Sequence, residues 1–407
     1  MLPQTEKAFS TQTNAAITKF SLSRHLSAEQ KDLLNDVLSF CSAHLSDQSA
    51  LLIIEGAAGT GKSVVLNAIF NAIQTRARSK NPDDPMTGTR NMLLVNHPEM
   101  LKLYRNVAAE TPTLRKADFD RPTTFINRLH KTNQTADIVL VDEAHLLLTR
   151  ADRYNHFQQQ NHLEEILALA RVVVVVFDPL QVLKFKSHWS ADLLDRFKTG
   201  RATKTLHLTT QFRVEAGPEV RHWLDQLAAG HVGKRPQDPD FDLRVYDDCA
   251  QLYDDLKERN NEVGLCRLLS TYDYPYRLDG EDHFIEEGRF RLRWDRSKPD
   301  EKLPWAERPD TIDEVGSVYT IQGFDLNYAG VILGPSLSYD AQTDSIRVDS
   351  ARYEDSAAFQ GQSGIVAPQM AKERIILNAL NVLLTRGMKG LYLYAHDPAL
   401  RERLRNR

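Results

Sequence analysis

Leu51-Leu52-Ile53-Ile54-Glu55-Gly56-Ala57-Ala58-Gly59-Thr60-Gly61-Lys62-Ser63 joins an apolar run to a glycine-spaced turn that ends in lysine and serine. Glycines at 56, 59 and 61 let the backbone wrap a polyphosphate with its N–H groups turned inward. The spacing places Lys62 on the β- and γ-phosphates and Ser63 on Mg²⁺. Beyond the turn, Val65, Leu66, Ile69, Phe70 and Ile73 recur at helical spacing, so a helix N-terminus adds its dipole to the anion site. Strand, loop and helix stand in the order of a P-loop. Residues Gly56, Ala57, Ala58, Gly59, Thr60, Gly61, Lys62 and Ser63 are therefore expected to bind ATP with Mg²⁺.

The chain has 407 residues, enough for two domains with separate cores, and its 42% hydrophobic and 26% charged content is that of a globular protein. A formal charge of −4 supplies no bulk basic field, so a nucleic-acid contact has to come from local patches. Cys41, Cys249 and Cys266 have neither metal-ligand spacing nor an even count, which reads as thiols in a reducing compartment. The longest apolar run, Val172 to Phe177, is far below a membrane span, and the start lacks a basic-then-apolar leader. The expectation is a cytoplasmic protein with no membrane contact.

Outward from the P-loop, residues 1–22 read as a polar lead-in. Ser27 is placed to cap a helix carrying Leu33, Leu34, Val37 and Leu38. On that helix Gln30 reads either as a solvated residue or as an amide that meets the adenine edge. Thr123 and Thr124 precede a helix, where they either donate to nucleic-acid phosphates or simply cap it. Ile138-Val139-Leu140-Val141 runs into Asp142-Glu143-Ala144-His145, an apolar strand ending in two carboxylates. That places Asp142 on the Mg²⁺ shell and Glu143 as the general base for the attacking water. The β-branched run Val172–Val176 is a fully buried parallel strand. It delivers Asp178 and Gln181 to the sheet edge where ligands gather in open α/β folds. Lys184, Lys186, His188 and Trp189, just beyond, read either as members of a cationic and aromatic nucleic-acid track or as a solvated loop with one buried tryptophan. The composition divides the chain into a first α/β domain over 23–203 and a second over 204–407, with insertions at about 273–312 and 335–368.

In sequence order, Gln30, the P-loop, Asp142-Glu143-Ala144-His145, Asp178 with Gln181, Gln211-Phe212-Arg213, Gln322-Gly323 and Leu384-Thr385-Arg386 resemble the motif series of superfamily 1 helicases. The likeness is closest to the helicase-like domain of group III Schlafen proteins and their bacterial relatives. It rests on Gln211-Phe212-Arg213, Val315-Gly316 with Thr320-Ile321-Gln322-Gly323, Gly330 to Pro335, and Asn381 to Gly390. The resemblance implies two RecA-like domains with parallel sheets. It also implies that Gln181 couples phosphate to nucleic acid, and that Arg213 and Arg386 act as arginine fingers on the transferring phosphoryl group. By the same token Gly323 and Asp325 lie near the nucleotide, and Thr320 and Gln322 near nucleic acid. Two positions depart from the pattern: Phe177 stands where many members have glycine, and Asp325 where many have glutamate. The leading expectation is an ATPase coupled to translocation on, or unwinding of, single-stranded DNA or RNA. The alternative is an ATPase switch that acts on a protein partner, for instance in defence against foreign nucleic acid.

Overall fold

The computed structural model describes residues 26–57, 59–210, 214–277, 279, 281–294, 301, 303–362, 365 and 367–405. It divides into two compact units, one spanning Lys19–Gln211 and the other made chiefly of Phe212–Arg407. The fold class is α/β, with two RecA-like units built on parallel sheets.

The first unit begins with α1 (Ala28–Ala43), whose cap is reciprocal. Gln30 N donates to Ser27 Oγ at 3.2 Å, and Ser27 N donates to Gln30 Oε1 at 3.1 Å. There follow β1 (Ala50–Gly56), α2 (Lys62–Ala77), β2 (Asn91–Val95), α3 (Pro98–Glu110), β3 (Phe119–Asp120) and α4 (Pro122–Thr132). The unit continues through β4 (Ala136–Asp142), α5 (His162–Leu169), β5 (Ala170–Phe177), α6 (Ala191–Lys198) and β6 (Ala202–Leu208). The strands lie in the order β3-β2-β4-β5-β1-β6, all parallel. Side chains alternate across a strand, and here both faces are covered: Leu51, Ile53, Val173 and Val175 belong to one apolar cluster, while Leu52, Ile54, Val174 and Val176 are buried too. Burial on both sides is why the run reads as continuous rather than alternating.

The change in sequence at 204 suggests a domain boundary there, but β6 pairs with β1 along its whole length, from Ala50 opposite Ala202 to Gly56 opposite Leu208. Its alternating, half-exposed pattern is that of an edge strand closing the first sheet. Where β6 ends, Glu29 accepts from Thr209 N and Oγ1, both at 2.8 Å, and from Thr210 N at 3.3 Å. The Thr209 N–H is the main reason the Glu29 carboxyl drops to about 2, against a smaller opposing effect of burial. A depressed carboxyl contributes stability above its ordinary value of 4.5 that is lost as pH falls through about 2. Glu29→Gln is expected to cost about 1 kcal/mol at pH 7, a figure held down by solvent exposure. In thermal melts the gap from wild type should narrow as pH falls below 4.5.

The second unit comprises α7 (Pro218–Ala228), β7 (Asp242–Val245), α8 (Cys249–Val263), β8 (Cys266–Ser270), β9 (Phe284–Glu287), β10 (Phe290–Trp294) and β11 (Glu314–Gly316). It is completed by α9 (Val318–Ile321), β12 (Leu326–Leu333), β13 (Leu337–Asp340), β14 (Ser345–Val348), α10 (Pro368–Leu384), β15 (Gly387–Ala395) and α11 (Pro398–Arg405). Its sheet runs β7-β15-β12-β8-β11-β10-β9. Every pairing is parallel except the hairpin of β9 with β10. The stretch 273–312, expected as an insertion, thus contributes two strands to the main sheet, with Ile285, Phe290 and Trp294 in its core. Within 335–368, β13 and β14 pair with each other as an antiparallel two-stranded hairpin outside the main sheet. All three cysteines are buried and unbridged. Among the described residues no helix is long and apolar enough to cross a membrane.

Candidate nucleotide site

Parallel pairing brings the ends of β1, β4 and β5 to one edge of the first sheet, with β5 lying between the other two. One intervening strand sets the P-loop about 10 Å from Asp142, which leaves width for a phosphate tail and a cation. Around the turn, a Cβ at Gly56 would meet Thr60 Oγ1 at 2.7 Å. Gly59 and Gly61 have φ of 85° and 76°, the left-handed region that glycine enters without strain. No side chain caps the first turn of α2, which leaves that role to an anion.

Lys62 is nearly buried, and its Nζ donates to Gly56 O at 2.7 Å, Ala57 O at 2.8 Å and Asp178 Oδ2 at 3.1 Å. Asp178 also accepts from Gln181 Nε2 at 2.7 Å. Burial by itself would raise the Asp178 carboxyl, but the Lys62 charge, His145 and the Gln181 amide together outweigh it and hold Asp178 below the ordinary range. Gln181 Oε1 is buried with no hydrogen-bond partner among the described residues, a polar atom that a ligand or water would satisfy.

Asp142 is fully buried at the end of β4. Tyr104 OH donates to its Oδ2 at 2.6 Å and Glu143 N to its Oδ1 at 2.9 Å, and the Ser63 hydroxyl bonds to it as well. Burial, followed by the charge of Glu143, pushes the Asp142 carboxyl upward. Glu143 has φ 49° and ψ 49°, a left-handed geometry costing a non-glycine residue about 1–2 kcal/mol. That turn brings its Oε2 to 3.2 Å from Nε2 of the fully buried His145. Two desolvated carboxylates beside a serine hydroxyl form an all-oxygen set that fits Mg²⁺, whose charge would reverse the upward pressure on Asp142. The departure at Phe177 has a packing role: its ring meets His145 and Trp189 edge to face, with centroids at 6.4 and 6.1 Å.

Several expected site residues have other duties. Gln30 is buried rather than solvated, and its amide oxygen is committed to the α1 cap. The residue capping α4 is Arg121, so neither Thr123 nor Thr124 caps the helix; Thr123 Oγ1 lies 3.0 Å from His162 Nε2, while Thr124 is exposed. Lys184 is half-buried. Lys186 pairs with Asp152 at 3.0 Å. Trp189 corrects the proposed track: it is 7% exposed, donates to Leu147 O at 3.1 Å and belongs to the apolar cluster of the first sheet, so its indole is not presented to a base. Trp189→Ala should therefore destabilise the first unit by about 3–5 kcal/mol, seen as a lower melting temperature without added nucleic acid. Ala58, Gln211, Phe212 and Arg213 lie outside the described residues.

In the second unit, Thr320 Oγ1 accepts from Ser317 N at 2.9 Å and donates to Ser317 O, capping α9. Gln322 is buried, Gly323 has φ 88°, and Asp325 is half-buried. Arg386 is 1% exposed; its Nε donates to Val382 O at 2.7 Å and one terminal nitrogen to Phe324 O at 3.1 Å. The guanidinium thereby ties the end of α10 to the Gly323 turn. Tyr104 and the Lys62–Asp178 pair escaped the sequence reading: helical periodicity marks Tyr104 as a core residue but carries no sign of a partner 38 positions away.

Residues 49–397 match the family Schlafen group 3, DNA/RNA helicase domain. The uncharacterized protein YPL245W of Saccharomyces cerevisiae is 46% identical over 411 residues, covering 93% of this chain and 90% of its own length. Among solved structures, the Pif1 helicase of Candida albicans aligns over 94% of this chain and 97% of its own at 11% identity, with a TM-score of 0.36. Unliganded Pif1 from a Bacteroides species aligns over 69% of this chain and 62% of its own at 13% identity, with a TM-score of 0.29. Those scores add nothing to the fold described above; the match over residues 49–397 and the yeast relative establish that the chain belongs to the Schlafen group 3 DNA/RNA helicase domain family, a helicase-like group of P-loop NTPases.

Proposed function

We propose that this chain hydrolyses ATP with Mg²⁺ and couples the cycle to single-stranded DNA or RNA. The observation that carries the reading is the convergence of Lys62, Ser63, Asp142, Glu143 and Gln181 on one sheet edge, with Tyr104 and Asp178 fixing their positions. In this reading Gly56, Ala57, Ala58, Gly59, Thr60 and Gly61 wrap the phosphates with backbone N–H groups, and Lys62 trades Asp178 for phosphate oxygen. Ser63 and Asp142 hold Mg²⁺, which neutralises charge on the phosphates. Glu143 takes the proton of the attacking water, Gln181 offers its unbonded carbonyl to that water, and Arg213 and Arg386 stabilise the charge on the transferring phosphoryl group. Gln30, Gly323 and Asp325 are assigned to the nucleoside, and Thr124, Lys184, Thr320 and Gln322 to nucleic acid.

The test is phosphate release from the full chain with ATP and Mg²⁺, alone and with single-stranded DNA or RNA, at low salt because phosphate contacts weaken steeply with ionic strength. Stimulation by one polymer is expected; unstimulated turnover would move the reading to the alternative, a switch acting on a protein partner. The interior position of Trp189 favours that alternative, since it removes one member of the expected track.

A further inference from the structure

The first sheet has a second edge, where its strands begin. Asn91 opens β2 and Ala136 opens β4, about 20 Å along β4 from Asp142. Between these strand starts and α4 lies a cavity of about 340 Å³ whose lining includes Arg78, Arg90, Arg115 and Arg128. Asp118 is its only acidic lining residue, and that carboxylate is already engaged by Arg78 at 2.8 and 2.9 Å and by Arg115 N at 2.8 Å. Arg78 is held further by the Thr113 carbonyl. Arg128 reaches Asp120, outside the cavity, at 3.3 Å. The guanidiniums of Arg90 and Arg115 form no ion pair among the described residues. Asp137, at the start of β4, accepts from Arg90 N at 2.8 Å and pairs with Arg171 at 3.5 Å. In a chain whose net charge is −4, Arg90 and Arg115 thus leave a local excess of two positive charges in a concave site.

The floor adds a second signal. Asn91 is buried, its Nδ2 donates to Thr89 Oγ1 at 2.9 Å, and its Oδ1 has no hydrogen-bond partner among the described residues. Beside it, Met92, Phe125 and Leu129 supply an apolar wall. Arginines match the tetrahedral oxygens of a phosphate with paired N–H donors, while the wall and the amide suit a small organic body carrying an amine or hydroxyl. The volume lies at the lower end of small-ligand pockets, room for one nucleotide rather than a strand.

We propose that this cavity, remote from the P-loop, binds a terminal phosphate monoester borne on a single nucleotide unit. Its source is either a free nucleoside monophosphate or the 5′-phosphorylated end of a nucleic acid.

Equilibrium binding to the full chain of labelled AMP, and of matched oligonucleotides with 5′-phosphate or 5′-hydroxyl ends, tests the assignment. Arg90 and Arg115 are exposed, so an Arg90→Glu/Arg115→Glu variant should fold. It is expected to bind AMP or the 5′-phosphorylated oligonucleotide at least about 10-fold more weakly and to keep its ATP turnover. Binding of the phosphate probes should survive in Lys62→Ala; should that variant not fold, the double arginine variant in the wild-type background decides alone. AMP binding without preference for either oligonucleotide end identifies the free nucleotide, and preference for the 5′-phosphate end identifies the polymer. No binding of AMP together with equal affinity for the two oligonucleotide ends, or affinity for the phosphate probes unchanged in the arginine variant, would overturn the proposal.

Discussion

Replacing Lys62 with alanine is expected to lower ATP turnover by about 10²- to 10³-fold, the scale of removing one preorganised donor from developing transition-state charge. A second effect follows from the structure. Nζ of Lys62 neutralises Asp178, which is 1% exposed, so truncation strands a buried carboxylate at a cost of about 3–5 kcal/mol. The two losses separate in Lys62→Ala/Asp178→Asn, where the melting temperature should recover and turnover should not. Phosphate release near the wild-type rate in either variant would remove the nucleotide site from the P-loop.

Glu143→Gln is expected to leave ATP binding intact and slow phosphate release by about 10²- to 10⁴-fold, since an amide cannot take the proton from water. Glutamine has the same length and tolerates the left-handed backbone at this position about as well as glutamate does. Because Glu143 charge pushes the buried Asp142 carboxyl upward, removing it should leave the variant at least as thermally stable as the parent. A stable protein with slowed chemistry is a specific signature. Weaker ATP binding with unchanged turnover would instead place the base elsewhere.

The residues that the sequence made legible are those whose chemistry and neighbours in the chain coincide. Gly56 to Ser63 form their turn from contiguous residues, and Val172–Val176 announces a doubly covered strand by composition alone. Long-range relations were not legible. β6 looked like the opening of a new domain because an edge strand alternates polar and apolar residues, and only its pairing with β1 shows where it belongs. Trp189 stood among Lys184, Lys186 and His188, where local patterning left a track residue and a buried ring equally open; its packing on Phe177 decides for the buried ring. The stretch 273–312 lacked a period because its strands are four and five residues long, too short to declare one.

Arg386 bears on the timing of the proposed reaction. Its guanidinium is folded into its own unit, bonded to Val382 O and Phe324 O. If stabilising a phosphoryl group takes an extended rotamer that releases both carbonyls, then at about 1.5–3 kcal/mol for each charged hydrogen bond that rotamer would be a minor species, roughly one molecule in 10² to 10⁴. Whatever binds and favours that rare conformer acts as a throttle, raising the rate through occupancy of the active state while the chemistry itself stays the same.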